Sequence, residues 1–329
     1  MTHLKIGSLF SGYGGLDLAV ETATGAKPAW FCEFDPAPSK VLAHHWPDVH
    51  NHRDVTNIDW ENVEPVDILT GGSPCQDLST AGKRSGMTDG TRSNLWVNMR
   101  EAIAQLQPQL VVWENVQGAL SAKAKSASDM EPGTGLLANV GDGHLRALGR
   151  VLGDLTEIGY DAEWTTLRAS DVGAPHHRAR VFLLAWPRTT DPESRRWTIR
   201  TPENNRQTTM ESRTPADNRG TTHRGRTEPT QPRHNTDFNW GKYEPAIRHW
   251  EELTRRAPDP SEPNSKGNPQ LHAPFAEWLM GLPAGWVTAP EIGITRREQL
   301  KAIGNGVCPQ QAQAALTHLL GQATQESKQ

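Results

Sequence analysis

The sequence predicts a doubly wound α/β sheet joined to a small second domain. Short apolar runs of strand length alternate with segments of helical periodicity from Leu4 to Trp186. The first of those runs ends in a glycine cluster, where doubly wound sheets place a ligand-binding turn. The alternation stops at Pro187 and resumes near Ala273. One domain is therefore expected over 1–186 plus 273–329, and a second over 187–272.

Taken in order, Leu4 to Phe10 reads as a buried parallel strand and Leu16 to Thr22 as the helix after it. Trp30 to Phe34 is a second strand, and Ala37 to His45 a helix stopped by Trp46-Pro47. Val66 to Thr70 (VDILT) is a strand that runs into Gly71-Gly72-Ser73-Pro74-Cys75. Ser93 to Gln105 is helical and Leu110 to Glu114 (LVVWE) is a strand. His144 to Ile158 has helical spacing of Leu145, Leu148, Val151, Leu152 and Leu155. Tyr160 to Leu167 and Arg180 to Trp186 are strand-like, and Ala273 to Gly281 and Gly306 to Leu320 are helical. Between them, Thr189 to Thr236 is rich in Thr, Arg, Pro and Asn, so a long loop or flexible segment is expected. Phe238 to Leu253 carries aromatics again and should be ordered.

Hydrophobic residues make up only 35% of the 329, which agrees with one polar, loosely packed segment. The net charge of −4 excludes a uniformly basic nucleic-acid binder. From Arg188 to Asp259, however, 14 Lys+Arg stand against 11 Asp+Glu, a local excess compatible with one nucleic-acid face. The three cysteines, Cys32, Cys75 and Cys308, form no CxxC and no metal spacing, so a disulfide scaffold and a bound metal are not expected. Met1 to Phe10 has no apolar signal core, and no run of about 18 apolar residues exists, which gives a cytoplasmic, non-membrane expectation.

Two loops stand out. Phe10-Ser11-Gly12-Tyr13-Gly14-Gly15 joins the first strand to the first helix, and Glu33 ends the second strand about 20 residues on, where such folds place an acid for ribose hydroxyls. The spacing is G-x-G-G, which does not suit a dinucleotide pyrophosphate; alone it is equally a structural turn. Cys75 sits on a Gly-Pro turn at the mouth of the sheet, whereas Cys32 and Cys308 read as buried small hydrophobes. The polar loop Asp77 to Gly90 is able to close over a substrate.

Together the motifs resemble the DNA cytosine-5 methyltransferase family. FSGYGG resembles its cofactor loop, GGSPCQDLS its Pro-Cys loop, and Trp113-Glu114-Asn115-Val116 its Glu-Asn-Val motif. His176-His177-Arg178-Ala179-Arg180-Val181 resembles its Arg-x-Arg motif, and Gly304-Asn305-Gly306-Val307 its C-terminal Gly-Asn motif, preceded by AEWLMG. The ordered set covers Leu4 to Trp186 and about Ala273 to Leu320. Two departures are visible: two histidines precede the Arg-x-Arg motif, and Gly306 stands where many members have Ser.

The resemblance implies a Rossmann-like S-adenosylmethionine-dependent methyltransferase sheet with a target-recognition domain. It implies methyl transfer to C5 of a flipped-out cytosine in a specific double-stranded DNA sequence, with Cys75 adding to the base as a thiolate. Glu114 would hydrogen-bond N3 and N4 while protonated, and Asn115 would orient the loop. Arg178 and Arg180, expected on one strand with side chains on the same side, would reach the cytosine O2 or a phosphate. Phe10, Gly12, Gly14 and Gly15 would surround the methionine part of S-adenosylmethionine. Glu33 would bind ribose, Phe34 would stack on adenine, Asp54 would meet the adenine amino group, and Asn305 would lie near the cofactor. Asp17 is equally a helix-start acid. For DNA, Gln76, Ser79, Lys83 and Arg84 are the expected clamp, and Tyr243, Arg248, Trp250, Arg255 and Arg256 the candidate readers. Tyr243 and Trp250 read equally as the core of the small domain.

A cognate restriction endonuclease is a conceivable partner, the scheme needs only a monomer, and nucleoid association would follow from DNA binding. Rival readings are a tRNA cytosine-5 methyltransferase, an inactive DNA-binding module and a nicotinamide-dependent dehydrogenase. The full set Cys75, Glu114, Arg178 and Arg180 disfavours the second, and the missing third glycine spacing the last.

Overall fold

The structure is a computed structural model that describes residues 3–72, 95–120, 123–124, 145–188 and 238–326. The chain begins with β1 (Lys5–Leu9), α1 (Gly15–Thr24), β2 (Lys27–Cys32), α2 (Pro36–His45) and a short β3 (His50–Asn51). Then come β4 (Ile68–Gly71), α3 (Trp96–Leu106) and β5 (Leu110–Val116). A two-residue pair, β6 (Lys123–Ala124) with β7 (Leu145–Arg146), precedes α4 (Ala147–Glu157), β8 (Tyr160–Leu167) and β9 (Arg180–Pro187). After residue 237 follow α5 (Glu244–Leu253), the hairpin β10 (Ser261–Pro263) and β11 (Pro269–Leu271), α6 (Ala273–Leu279), α7 (Arg296–Asn305) and α8 (Pro309–Glu326).

Seven strands form the central sheet in the order β3-β2-β1-β4-β5-β9-β8. The first five are parallel, and β9 runs antiparallel to both β5 and β8. The order reverses between β1 and β4, which opens a crevice beyond their carboxyl ends. Both glycine loops leave the sheet there. Because β9 is antiparallel, its first residue, Arg180, pairs with Val116 at that same end of β5.

The strands are apolar on both faces, as a covered sheet requires. Leu9, Leu69, Val111, Trp113 and Leu183 meet Trp96, Met99, Val151 and Leu155 of α3 and α4 on one face. Ile6, Ile68, Val112, Phe182 and Leu184 meet Val20 of α1 and Leu316 and Leu319 of α8 on the other. This is the period-two alternation of a strand read from both sides. Helix starts follow local chemistry: Asp35 caps α2 with Pro36 at its first position, and Thr295 and Glu298 form a reciprocal capping box on α7.

The expected second domain, 187–272, falls largely on residues 189–237, which lie outside the described residues. Its described part packs inward. Ile247 and Trp250 of α5 share one apolar cluster with Tyr13, Val41, Phe275, Trp278, Val287 and Cys308. Cys32 and Cys308 are buried, as expected. Among the described residues no helix is long and apolar enough to cross a membrane.

That cluster surrounds a fully buried carboxylate. Glu277 accepts from the backbone N–H groups of Gly285 (2.8 Å), Val287 (2.6 Å) and Thr288 (3.0 Å) and from the Thr288 hydroxyl (3.1 Å). Arg255 Nη2 lies 3.8 Å from it. Truncation orphans three backbone donors and one partly buried guanidinium. Glu277→Ala should therefore lower the unfolding free energy by about 3–5 kcal/mol, read as a lower urea midpoint at unchanged slope.

Candidate active site

At the end of β1 the chain turns through Phe10 (φ 54°), Gly12 (φ 57°) and Gly14 (φ 83°), all left-handed. The Gly12 N–H donates to Glu33 Oε2 at 2.8 Å, and the Asp35 N–H donates to Oε1 of the same carboxylate at 2.7 Å. Glu33 thus ties the ends of β1 and β2 together, and each of its oxygens keeps a lone pair for a further donor. Burial pushes this carboxyl up, against the two backbone hydrogen bonds that lower it. Next to it in sequence, Phe34 is 69% exposed. Asp54 caps the next turn, accepting from the Thr56 N–H and hydroxyl and from Asn57 Nδ2. The Arg53 guanidinium donates to the Phe34 carbonyl at 3.0 Å.

Under the loop lies Asp17, an acid in the first turn of α1, with its side chain buried against the sheet. It accepts from Ser8 Oγ of β1 at 2.9 Å and from Thr70 Oγ1 of β4 at 2.8 Å. Thr70 is followed by Gly71 and Gly72, and a Cβ at Gly72 would lie 3.1 Å from Glu114 Oε2. The backbone that leads toward Cys75 therefore starts against the Glu114 carboxylate. Cys75 itself, with Gln76, Ser79, Lys83 and Arg84, lies outside the described residues.

Glu114, on β5, is 8% exposed and ion-paired to Arg180 Nε at 2.9 Å. Burial pushes its carboxyl up, and the charges of Arg180 and Arg178 pull it back down. Asn115 is buried beside it.

The two arginines do not sit as the strand reading expected. β9 begins at Arg180, and Arg178 precedes it with a φ of 34°. Period-two alternation therefore does not govern Arg178. Its guanidinium turns to the C-terminal segment, donating to the Gly304 carbonyl at 3.0 Å and also to the Gly306 carbonyl. Its own carbonyl accepts from Gln311 Nε2 at 2.8 Å. Arg180 alone contacts Glu114 through a hydrogen-bonding ion pair.

Asn305 is exposed at the end of α7. Tyr243 is 58% exposed, whereas Trp250 is fully buried, so of the two aromatics only Trp250 belongs to the core. Arg248 bridges Glu244 (2.8 Å) and Glu251 (2.7 Å) along its own helix, and Arg255 turns to Glu277. Sequence reasoning passed over Tyr13 and Gln311, both fully buried. The signal for Tyr13 was a large aromatic between glycines, whose missing side chains leave space for its ring to turn inward. Among the described residues no group of three or more His, Cys, Asp and Glu could hold a metal ion.

The family model described as C-5 cytosine-specific DNA methylase matches residues 4–242. Similar curated proteins include the DNA N-6-adenine-methyltransferase of Escherichia phage P1, 33% identical over 57% of this chain and 29% of its own length. They also include the Type II methyltransferase M.NlaIV of Neisseria lactamica, 31% identical over 56% of this chain and 41% of its own. The chain thus spans less than half the length of these relatives. Among solved structures, the S. pombe Dnmt2 methyltransferase shares the fold at a TM-score of 0.57 and 14% identity, over 97% of this chain and 99% of that one.

Burial pushes the Asp17 carboxyl up to about 6 from an ordinary 3.8, against the hydrogen bonds from Thr70 and Ser8 that lower it. The folded chain then holds a proton that the unfolded chain releases, so this group's contribution to stability falls as pH rises between those values. In Asp17→Asn that dependence should vanish. The stability of the variant relative to the parent should rise by up to about 3 kcal/mol from about pH 4 to about pH 7, measured by urea unfolding. A pH-independent difference would contradict it.

Proposed function

This chain belongs to the C-5 cytosine-specific DNA methylase family, and we propose that it methylates C5 of a flipped-out cytosine in a specific double-stranded DNA sequence through a Cys75 adduct. The observation that carries this reading is the buried Glu114 carboxyl, paired with Arg180 and lying against Gly72, three residues before Cys75. S-adenosylmethionine, the donor, supplies an electrophilic methyl group on a sulfonium. The loop fits such a guest, because a Cβ at Gly12 would meet nothing within 4 Å and the exposed ring of Phe34 stands beside the buried acid Glu33. In this reading Phe10, Gly12, Gly14 and Gly15 take the methionine part, Glu33 the ribose and Phe34 the adenine ring. Asp54 takes the adenine amino group, and Asn305 borders the site.

C5 of cytosine is a poor nucleophile. The Cys75 thiolate bonds to C6, and the electron pair displaced from the C5–C6 bond moves toward N3. Glu114, whose carboxyl burial pushes up, donates at N3 when protonated and accepts from N4, which stabilises that charge. Arg180 keeps the carboxyl in place and faces the base at O2. Arg178 holds the Gly304–Gly306 segment. C5 then bonds to the methyl carbon as the methyl–sulfonium bond breaks and the neutral thioether leaves; a base removes H5, and the C6–S bond breaks to return the thiolate. The base reaches this crevice by leaving the stack, at a cost of a few kcal/mol, and Gln76, Ser79, Lys83 and Arg84 clamp the opened duplex. Target recognition belongs to 187–272, with the exposed Tyr243 and the half-exposed Arg248 as its candidates. A cognate endonuclease is a proposed partner, suggested by the Type II relatives.

A second reading follows from the phage P1 relative, whose name gives adenine N6 as the acceptor. The test offers methyl-labelled S-adenosylmethionine with genomic DNA and bulk tRNA side by side, then identifies the labelled base. Label should enter DNA as 5-methylcytosine and vanish in Cys75→Ser. Label as N6-methyladenine, or in tRNA alone, would overturn the assignment. Glu114→Gln should lower kcat by about 10²–10⁴-fold while DNA affinity changes little, measured by single-turnover kinetics.

A further inference from the structure

The ring of Tyr13 is clasped between the cofactor-side loop and the C-terminal Gly304–Val307 segment. It is fully buried, and its hydroxyl donates to the Val307 carbonyl at 2.6 Å. Its own carbonyl accepts from Trp286 Nε1 at 3.0 Å. A Cβ at Gly306 would lie 1.9 Å from the edge of that ring, and a Cβ at Gly15 would lie 2.6 Å from its other edge and 2.3 Å from the Val307 carbonyl oxygen. Gly306 has φ −79° and ψ −175°, an extended conformation open to any residue. Glycine at 306 is therefore required by the Tyr13 ring and not by the backbone. On its other side the same segment is held by Arg178, which donates to the Gly304 and Gly306 carbonyls.

The geometry points to Tyr13 and Gly306 as a matched pair that sets how closely the C-terminal segment approaches the cofactor loop, which makes Tyr13 a positioning residue for binding of the methyl donor. The inference rests on the function proposed above, because the loop that Tyr13 belongs to is the proposed donor site. The ring fills the space that a side chain at 306 would use. Donor contacts from this segment must then come from its backbone and from Asn305, at a depth fixed by three held carbonyls. Those of Gly304 and Gly306 are held by Arg178, and that of Val307 by Tyr13.

The test measures S-adenosylhomocysteine binding by calorimetry and DNA binding by anisotropy, on the full chain. Tyr13→Phe, which adds no atom and removes one hydrogen bond, should weaken the cofactor product about 3- to 10-fold with DNA affinity unchanged. Gly306→Ala should weaken it at least about tenfold in the parent, but less than about twofold in a Tyr13→Ala background, where the space is free. Equal costs of Gly306→Ala in both backgrounds, or an unchanged Tyr13→Phe, would overturn the pairing. Should Gly306→Ala not fold, Tyr13→Phe still decides. A parent chain that binds no S-adenosylhomocysteine would overturn the functional reading and this inference with it, whereas a binding parent with uncoupled variants would overturn the inference alone.

Discussion

A buried carboxylate beside a half-buried guanidinium can stand at the ligand edge of this sheet only because β9 runs against β5. In a parallel neighbour the first residue of the strand would lie at the far end of the sheet. Reversal brings Arg180, the first residue of β9, level with Val116, two residues from Glu114. Desolvation offsets much of the Coulomb attraction in such a pair, so stability alone is a weak reason for it. Its effect is chemical. Burial pushes the carboxyl up, and the charges of Arg180 and Arg178 pull it back down.

The rest of the crevice is built outward from that edge. Glu33 joins the ends of β1 and β2 through two backbone N–H groups, and Asp17 joins β1 to β4 beneath the same loop. The donor side and the base side of the proposed reaction are thereby fixed to adjacent strands of one sheet. The C-terminal segment closes the third side, held by Arg178 from one direction and by Tyr13 from the other. Glu33, Asp17 and Tyr13 are buried, and each of these groups hydrogen-bonds to backbone or side chains of other segments, which lets a loop hold a rigid geometry.

Much of this was legible in the sequence because strands covered on both faces are continuously apolar and end abruptly at glycine. The runs LKIGSLF, VDILT and LVVWE marked β1, β4 and β5 to within a few residues. Strand direction was not legible from apolarity. Still, the stretch between Tyr160–Leu167 and Arg180–Trp186 contains no helical pattern, and a parallel crossover needs one, so the reversal of β9 had a visible cause. The helix α7 was missed although Thr295-Arg296-Arg297-Glu298 spells a capping box. Arg178 was placed on the strand because Arg-x-Arg suggests period two. Its left-handed backbone, drawn toward carbonyls far away in sequence, has no local signature. Tyr243 and Trp250 were indistinguishable by type, but Ile247 and Trp250 lie three apart on one helix face, the spacing of a buried stripe.

The central claim is that a thiolate of this chain bonds to the cytosine ring. Fluorine at C5 tests it, because after methyl transfer no proton remains at C5 to be removed and the C6–S bond cannot break. The protein would be incubated with S-adenosylmethionine and mixed-sequence duplex DNA carrying 5-fluorocytosine in place of cytosine, then run on a denaturing gel. The account predicts a protein–DNA band that survives denaturation, maps to Cys75 by peptide mass and is missing in Cys75→Ser. Methyl transfer to ordinary DNA without any such band, or a band that survives loss of Cys75, would contradict it.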